Sequence, residues 1–175
     1  MLIGYNPWWN TGQVPKEFTR PVKRLGFYEA RKIFNHPSIR RKIILSGPRR
    51  VGKTTIMYQM IEEQLKSSAS KSIIYVSFDH PMLKLCDTGQ ILEVFQNNIA
   101  SEHDQVYLFF DEIQYASEWD AWLKMLYDQH PNYKIMATGS ASPILAAKAT
   151  ESGVGRWTQI RIPFRQQGIR EHNVE

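Results

Sequence analysis

One stretch of nine residues constrains this chain more than any other: Gly47-Pro48-Arg49-Arg50-Val51-Gly52-Lys53-Thr54-Thr55. It fits the pattern G-x-x-x-x-G-K-[ST], and both flanks suit that pattern. Before it, Lys42–Ser46 (KIILS) is a short apolar run that predicts a strand. After it, Ile56, Met57, Met60, Ile61 and Leu65 recur at helical spacing. A glycine-rich turn between strand and helix is a device for holding phosphate. Gly47 and Gly52 admit backbone angles and close approaches that a side chain would block. The amides of Pro48 to Thr55 that carry a hydrogen can then turn inward on an anion, helped by the positive end of the following helix. Lys53 brings a flexible point charge to the β- and γ-phosphates. The Thr54 hydroxyl is placed to ligate Mg²⁺, and Thr55 can donate to the α-phosphate.

Around this loop the chain alternates strand-like and helix-like segments. Ser72–Phe78, Val106–Phe110, Tyr133–Ala137 and Trp157–Ile162 are β-branched or aromatic runs and predict four more strands. Between them, Gln90–Ala100 offers Ile91, Leu92, Val94, Phe95 and Ile99 to one helix face. Glu118–Gln129 offers Trp119, Trp122, Leu123, Leu126 and Tyr127 to another, and Pro143–Ala149 predicts a short third helix. Such alternation implies βαβ crossovers, hence an α/β fold of three layers with a mainly parallel five-stranded sheet. Ligands of these sheets bind beyond the carboxyl ends of the strands. The chemistry is therefore expected just after Ser46, Phe78, Phe110 and Ala137.

The strongest partner for the loop follows the third strand. Val106–Phe110 runs into Asp111-Glu112, two carboxylates at a sheet edge, where mutual repulsion favours a neutralising metal. Asp111 is expected to support Mg²⁺ and Glu112 to polarise the water that attacks the γ-phosphate. Thr138-Gly139-Ser140 follows the next strand; Ser140 is the first choice for touching the γ-phosphate or the attacking water, and Thr138 the alternate. Asp79 ends the second strand at the same edge, as a water-orienting group or a turn residue. Arg156, in Gly153-Val154-Gly155-Arg156-Trp157, is a candidate cationic finger near that edge, acting within the chain or in trans from a second copy. No Asn-Lys-x-Asp guanine-reading motif occurs.

Composition narrows the class further. With 175 residues, 42% hydrophobic, the chain can build one real core. A single cysteine, Cys86, excludes an internal disulfide framework, and the five histidines lack metal-ligand spacing. No apolar run is long enough to span a membrane, and the start lacks a signal-peptide pattern, so a cytoplasmic location is expected. The charge is uneven. Residues 1–42 hold nine Lys or Arg against two acidic residues, while the remainder holds thirteen against fifteen. This segment is expected to be an extended arm (1–20) followed by a basic helix (21–36). It is either a solvated basic face or a contact for DNA. Trp8 and Trp9 within it either cap the core or meet a partner.

Taken together, these motifs resemble AAA-type P-loop ATPases, in particular a prokaryotic subgroup that carries a further C-terminal domain. The matching residues are Asn6-Pro7-Trp8-Trp9, the Gly47–Thr55 loop, Leu108-Phe109-Phe110-Asp111-Glu112-Ile113-Gln114 with Trp119, Thr138-Gly139-Ser140-Ala141-Ser142, and Gly155-Arg156 before a strand. The resemblance implies ATP hydrolysis, a sensor serine or threonine after the fourth core strand, and an arginine finger at Gly155-Arg156. It suggests an arm and helix over 1–41 packed on the core, an ATPase domain over 42–165, and the start of a C-terminal region over 166–175. The motifs and the resemblance bring ATP and Mg²⁺ into view as partners, Arg156 acting in trans brings a second copy of the chain, and the basic N-terminal segment brings DNA. A nucleotide-gated DNA-binding or regulatory switch with little turnover and a small-molecule kinase are the competing readings; the Asp111-Glu112 pair favours water activation over transfer to a bound acceptor.

Overall fold

The computed structural model describes residues 2–37, 42–84, 88–98, 105–140 and 156–164. The predicted helix at 143–149, Cys86, and the glycines before Arg156 lie outside the described residues. All five predicted strands form: β1 (Lys42–Ser46), β2 (Ile73–Ser77), β3 (Val106–Asp111), β4 (Tyr133–Gly139) and β5 (Trp157–Arg161). They make one sheet in the order β2-β3-β4-β1-β5, and every pairing is parallel. All five residues of β1 are buried, which requires cover on both faces of the sheet. The longer crossover and flanking helices are α3 (Leu25–Phe34), α4 (Lys53–Leu65), α6 (Thr88–Asn98) and α7 (Trp119–Gln129). Short turns of helix, α1 (Leu2–Tyr5), α2 (Trp8–Thr11) and α5 (Pro81–Lys84), and two 3₁₀ turns, Ser70–Ser72 and Ile113–Tyr115, complete the order among the described residues.

The register aligns the functional rim. Ser46 pairs with Gly139 on one side and Arg161 on the other, and Ser77 pairs with Asp111. The residues that end these strands therefore stand along one edge, and the loop that follows Ser46 rises from its interior.

The N-terminal residues differ from the expected extended arm. They coil into α1 and α2 and cover the edge strand β2. The Asn6 carboxamide donates to the Tyr75 carbonyl (3.0 Å) and accepts from the Tyr75 amide (2.6 Å), much as a neighbouring strand would. The Trp8 and Trp9 indoles both donate to the Ile73 carbonyl, at 3.1 and 2.7 Å. Trp8 and Trp9 are buried, with Trp9 stacked on Phe95. An edge strand with unpaired backbone groups is costly to bury and prone to foreign pairing, and these side chains satisfy it. Composition suggested an arm because Asn, Gly and Pro are turn formers. Two indoles and an amide with buried backbone partners outweighed them.

Two helix faces also depart from expectation. On α7, Leu123 and Leu126 are buried but Trp119 and Trp122 are only half-buried; Trp119 lies against Trp157. On α6, Val94 faces outward while Ile91, Leu92 and Phe95 are buried. Three of the described basic residues among the first 42 are put to separate uses. Lys42 is buried, Arg31 bonds to Glu63 at 2.8 Å, and Arg24 reaches the loop.

Candidate functional site: a lysine loop facing a buried carboxylate

The loop leaves β1 at Gly47, where a β-carbon would lie 2.3 Å from the Ile162 carbonyl oxygen. Only glycine fits there. The loop ends at Gly52, whose φ of +92° precedes the first turn of α4. Between them Arg50 also adopts a positive φ, 64°, a conformation uncommon for a side-chain-bearing residue. The Lys53 ammonium is buried and folded back on its own loop. It donates to the carbonyls of Gly47 (3.0 Å) and Pro48 (2.8 Å) and lies 3.9 Å from a Glu112 carboxylate oxygen. Arg49 extends to the Tyr115 hydroxyl at 2.6 Å.

Across the rim, Asp111 at the end of β3 is buried and holds three hydroxyl donors. Thr54 and Tyr75 both donate to Oδ2, each at 2.9 Å, and Thr138 donates to Oδ1. Burial pushes the Asp111 carboxyl above the usual carboxylate range, and the Glu112 charge adds to that. The hydrogen bonds from Thr138, Tyr75 and Thr54 oppose it. The Tyr75 hydroxyl is itself raised, first by its burial and then by the facing Asp111.

Glu112 follows with a φ of 52°, a left-handed conformation that turns its side chain off the strand. Its amide donates to the Thr138 oxygen (3.0 Å), and its carboxylate accepts from Gln114 (2.5 Å). Thr138 thus ties both acidic residues to β4. Strain at a rim already rich in charge is the pattern of a functional site.

The structure therefore brings Lys53, Thr54, Asp111 and Glu112 together, as the motifs suggested. Ser140 stands just past β4 at this rim, but the hydroxyl that contacts the carboxylate is that of Thr138. Asp79 is at the same edge and exposed. Arg156 is not near its own loop. Its backbone carbonyl accepts from the Lys42 amide, and Trp157 pairs with Lys42, so it marks the amino-terminal rim. Its side chain meets Asp128 at 3.5 Å. The expectation of a finger near the active edge of the same chain is corrected on this ground: in a parallel sheet, a residue preceding a strand lies opposite the residues that follow strands. Tyr75 was not anticipated; a tyrosine in an otherwise apolar buried strand needs a partner for its hydroxyl, and that was the available signal.

The donor set suits a small hard cation. Thr54 and Asp111 offer two oxygens, which matches the habit of Mg²⁺ to take few protein ligands and complete its shell from phosphate and water. Among the described residues there is no cluster of three His, Cys, Asp or Glu that would hold a metal by protein ligands alone.

Comparison with known proteins gives the family. The AAA domain family matches residues 40–168. The chain belongs to that family. It is similar to two proteins of Methanocaldococcus jannaschii. One, uncharacterized protein MJ1637, is 38% identical over 117 residues, or 61% of this chain. The other, uncharacterized protein MJ1544, is 30% identical over 113 residues, or 65% of this chain. The chain spans 24% of the length of each. A solved structure of C. elegans PCH-2 overlays with a TM-score of 0.50 and 16% identity, covering 79% of this chain and 40% of that one. That likeness concerns the fold. This AAA domain has no helix among its described residues long and apolar enough to cross a membrane.

Proposed function

We propose that this AAA domain binds ATP with Mg²⁺, hydrolyses it, and thereby drives a conformational change in a partner domain. The observation that carries the reading is the convergence of Thr54 and Asp111 at 2.9 Å, with Lys53 3.9 Å from Glu112 on the same rim. Lys53 rests on loop carbonyls, which an incoming polyanion can replace as partners. Thr54 and Asp111 would hold Mg²⁺, which when bound neutralises charge on the β- and γ-phosphates. Glu112, oriented by Gln114 and anchored through Thr138, acts as the base that takes the proton of the attacking water. Ser140, just past β4 on the same rim, would sense the γ-phosphate, while the Thr138 hydroxyl holds Asp111 and Glu112 in place. Arg156 can serve the reaction only from a second copy of the chain.

Space for the rest of the nucleotide adjoins the loop. A cavity of about 330 Å³ opens beside Gly52 and Thr55, between α4 and the Arg20–Arg24 segment. Its volume suits a nucleoside. Because the relatives are about four times longer than the matched segment, the conformational output is assigned to regions such longer proteins carry beyond it.

The test is phosphate release from ATP and Mg²⁺ with no acceptor present, which also separates hydrolysis from a kinase. The wild-type chain is expected to release phosphate. Glu112→Gln is expected to bind ATP as well as wild type and to turn it over roughly 10²–10⁴-fold more slowly. Equal turnover by Glu112→Gln would remove the assignment of the base; failure of the wild type to bind ATP would remove the whole reading.

A further inference from the structure

The loop is gripped, from the side of the adjoining cavity, by a residue that the sequence marks only as one charge in a basic stretch. Arg24 precedes α3, and its Nη1 donates to the Val51 carbonyl inside the loop. The same nitrogen lies 3.5 Å from the place a β-carbon on Gly52 would take. The Val51–Gly52 peptide is trans, and in a planar trans peptide the C=O and N–H point opposite ways. A carbonyl anchored on Arg24 therefore turns the Gly52 N–H away from Arg24. We infer that Arg24 is a positioning residue: by holding the Val51 carbonyl outward, it presets the Gly52 amide as a donor to the bound phosphates. This rests on the ATP reading above and adds to it a latch that forms before nucleotide arrives.

The origin of that side chain is fixed on two sides. The Arg24 carbonyl accepts from the Phe27 amide at 2.8 Å, beginning α3. At Gly26 a β-carbon would meet the Ile162 Cδ1 at 2.5 Å, so the first turn of α3 abuts the end of β5. Ile162 in turn donates its amide to the Ser46 carbonyl at 2.7 Å and crowds Gly47 with its own carbonyl. On the other side, the Gln59 carboxamide of α4 donates to the carbonyls of Arg20 (2.7 Å) and Val22 (3.1 Å). The segment bearing Arg24 is tied to the start of the loop through Ile162 and to the helix that follows the loop through Gln59. A guanidinium bonded to a carbonyl is a charge-assisted contact, of the stronger class. A latch of this kind lowers the ordering cost of anion binding, which is where preorganisation gains affinity.

The experiment uses the full chain and measures ATP affinity, hydrogen exchange of the 47–53 segment without nucleotide, and the thermal midpoint. Arg24→Met keeps the aliphatic stem and removes the donor; Arg24→Lys restores one donor and the charge; Lys53→Ala is run in parallel. Arg24→Met is expected to bind ATP about tenfold more weakly and to exchange faster over 47–53. Arg24→Lys is expected to recover most of both, with thermal midpoints close to wild type. Faster loop exchange separates a latch from plain charge attraction, which would lower affinity and leave the nucleotide-free loop unchanged; that second pattern overturns the inference. ATP binding by Arg24→Met within about twofold of wild type also overturns it, provided Lys53→Ala has lost binding. If Lys53→Ala binds as wild type does, it is the ATP reading that fails.

Discussion

Two buried lysines stand near opposite ends of β1, and they are held in opposite ways. Lys42 opens the strand with its ammonium over the faces of Tyr127 (5.0 Å) and Trp157 (5.8 Å). Lys53 lies beyond the carboxyl end, held by two loop carbonyls within reach of Glu112. Ring faces attract a cation and cannot be displaced by an anion without opening the core. Carbonyls and a nearby carboxylate are provisional partners for a lysine that a phosphate can claim. Burial alone does not mark a functional lysine; the exchangeability of its partners does.

The contrast is broken most directly by removing each ammonium. Lys53→Ala is expected to weaken ATP binding about a hundredfold, since a charge-assisted contact to phosphate is lost with no substitute. Lys42→Met, which keeps an aliphatic stem and removes the ammonium, is expected to leave ATP affinity within about twofold. Titration of ATP by calorimetry on both variants checks the pair. If Lys42→Met lost affinity as Lys53→Ala does, the division of labour between the rims would be wrong.

A smaller effect sharpens the carboxyl rim. Thr138→Val keeps the shape of the side chain but removes a donor to Asp111 and an acceptor for the Glu112 amide. We expect a loss of about 1–3 kcal/mol in the nucleotide-free protein, measured by denaturant unfolding with chelator present. The pH dependence has a definite sign. Asp111 has a folded pKa above its ordinary value of 3.8, so the folded state binds the proton more tightly than the unfolded state. That contribution is fully present below the unfolded pKa and is lost as pH rises through the folded one. Removing a donor raises the folded pKa further, so the Thr138→Val penalty is expected to shrink as pH falls towards 4. A penalty that grows on acidification would mean that Asp111 is not the group Thr138 serves.

Most of this arrangement is legible in the amino-acid sequence. The five strands showed because each is a short β-branched or aromatic run, and Asp111 and Glu112 showed because they end an apolar one. The Gly47–Thr55 loop showed because phosphate binding imposes residue types at fixed spacing. What escaped depends on contacts between distant segments. Asn6 pairs with the backbone of Tyr75, Arg24 with the carbonyl of Val51, and Tyr75 with Asp111. Each is an ordinary polar residue locally, and its role lies in a partner at least 27 positions away. The sequence offers Ser140 first and Thr138 second for the same rim, with nothing local to show which hydroxyl meets the carboxylate. The strand instead delivers Thr138 inward, one step beyond the Phe110–Ala137 pair.

The smallest expected effect is at the amino-terminal rim. Arg156 and Asp128 are 3.5 Å apart, with their side chains 28% and 47% exposed, so water and salt screen the pair. Arg156→Ala is therefore expected to cost no more than about 1 kcal/mol of stability, read as a small shift in thermal midpoint that narrows with added salt. From Trp157 to Arg161 the strand advances roughly 13 Å, which keeps Arg156 away from the loop of its own chain. ATP affinity of an isolated chain should then be untouched. Hydrolysis is the discriminating measurement, because a finger acting in trans makes turnover per chain rise with protein concentration in wild type and stay flat in Arg156→Ala. Mixing Arg156→Ala with Lys53→Ala would then restore activity, since each variant supplies what the other lacks at a shared interface. Absence of that complementation, with both variants folded and the wild type active, would reduce Arg156 to one half of a surface ion pair.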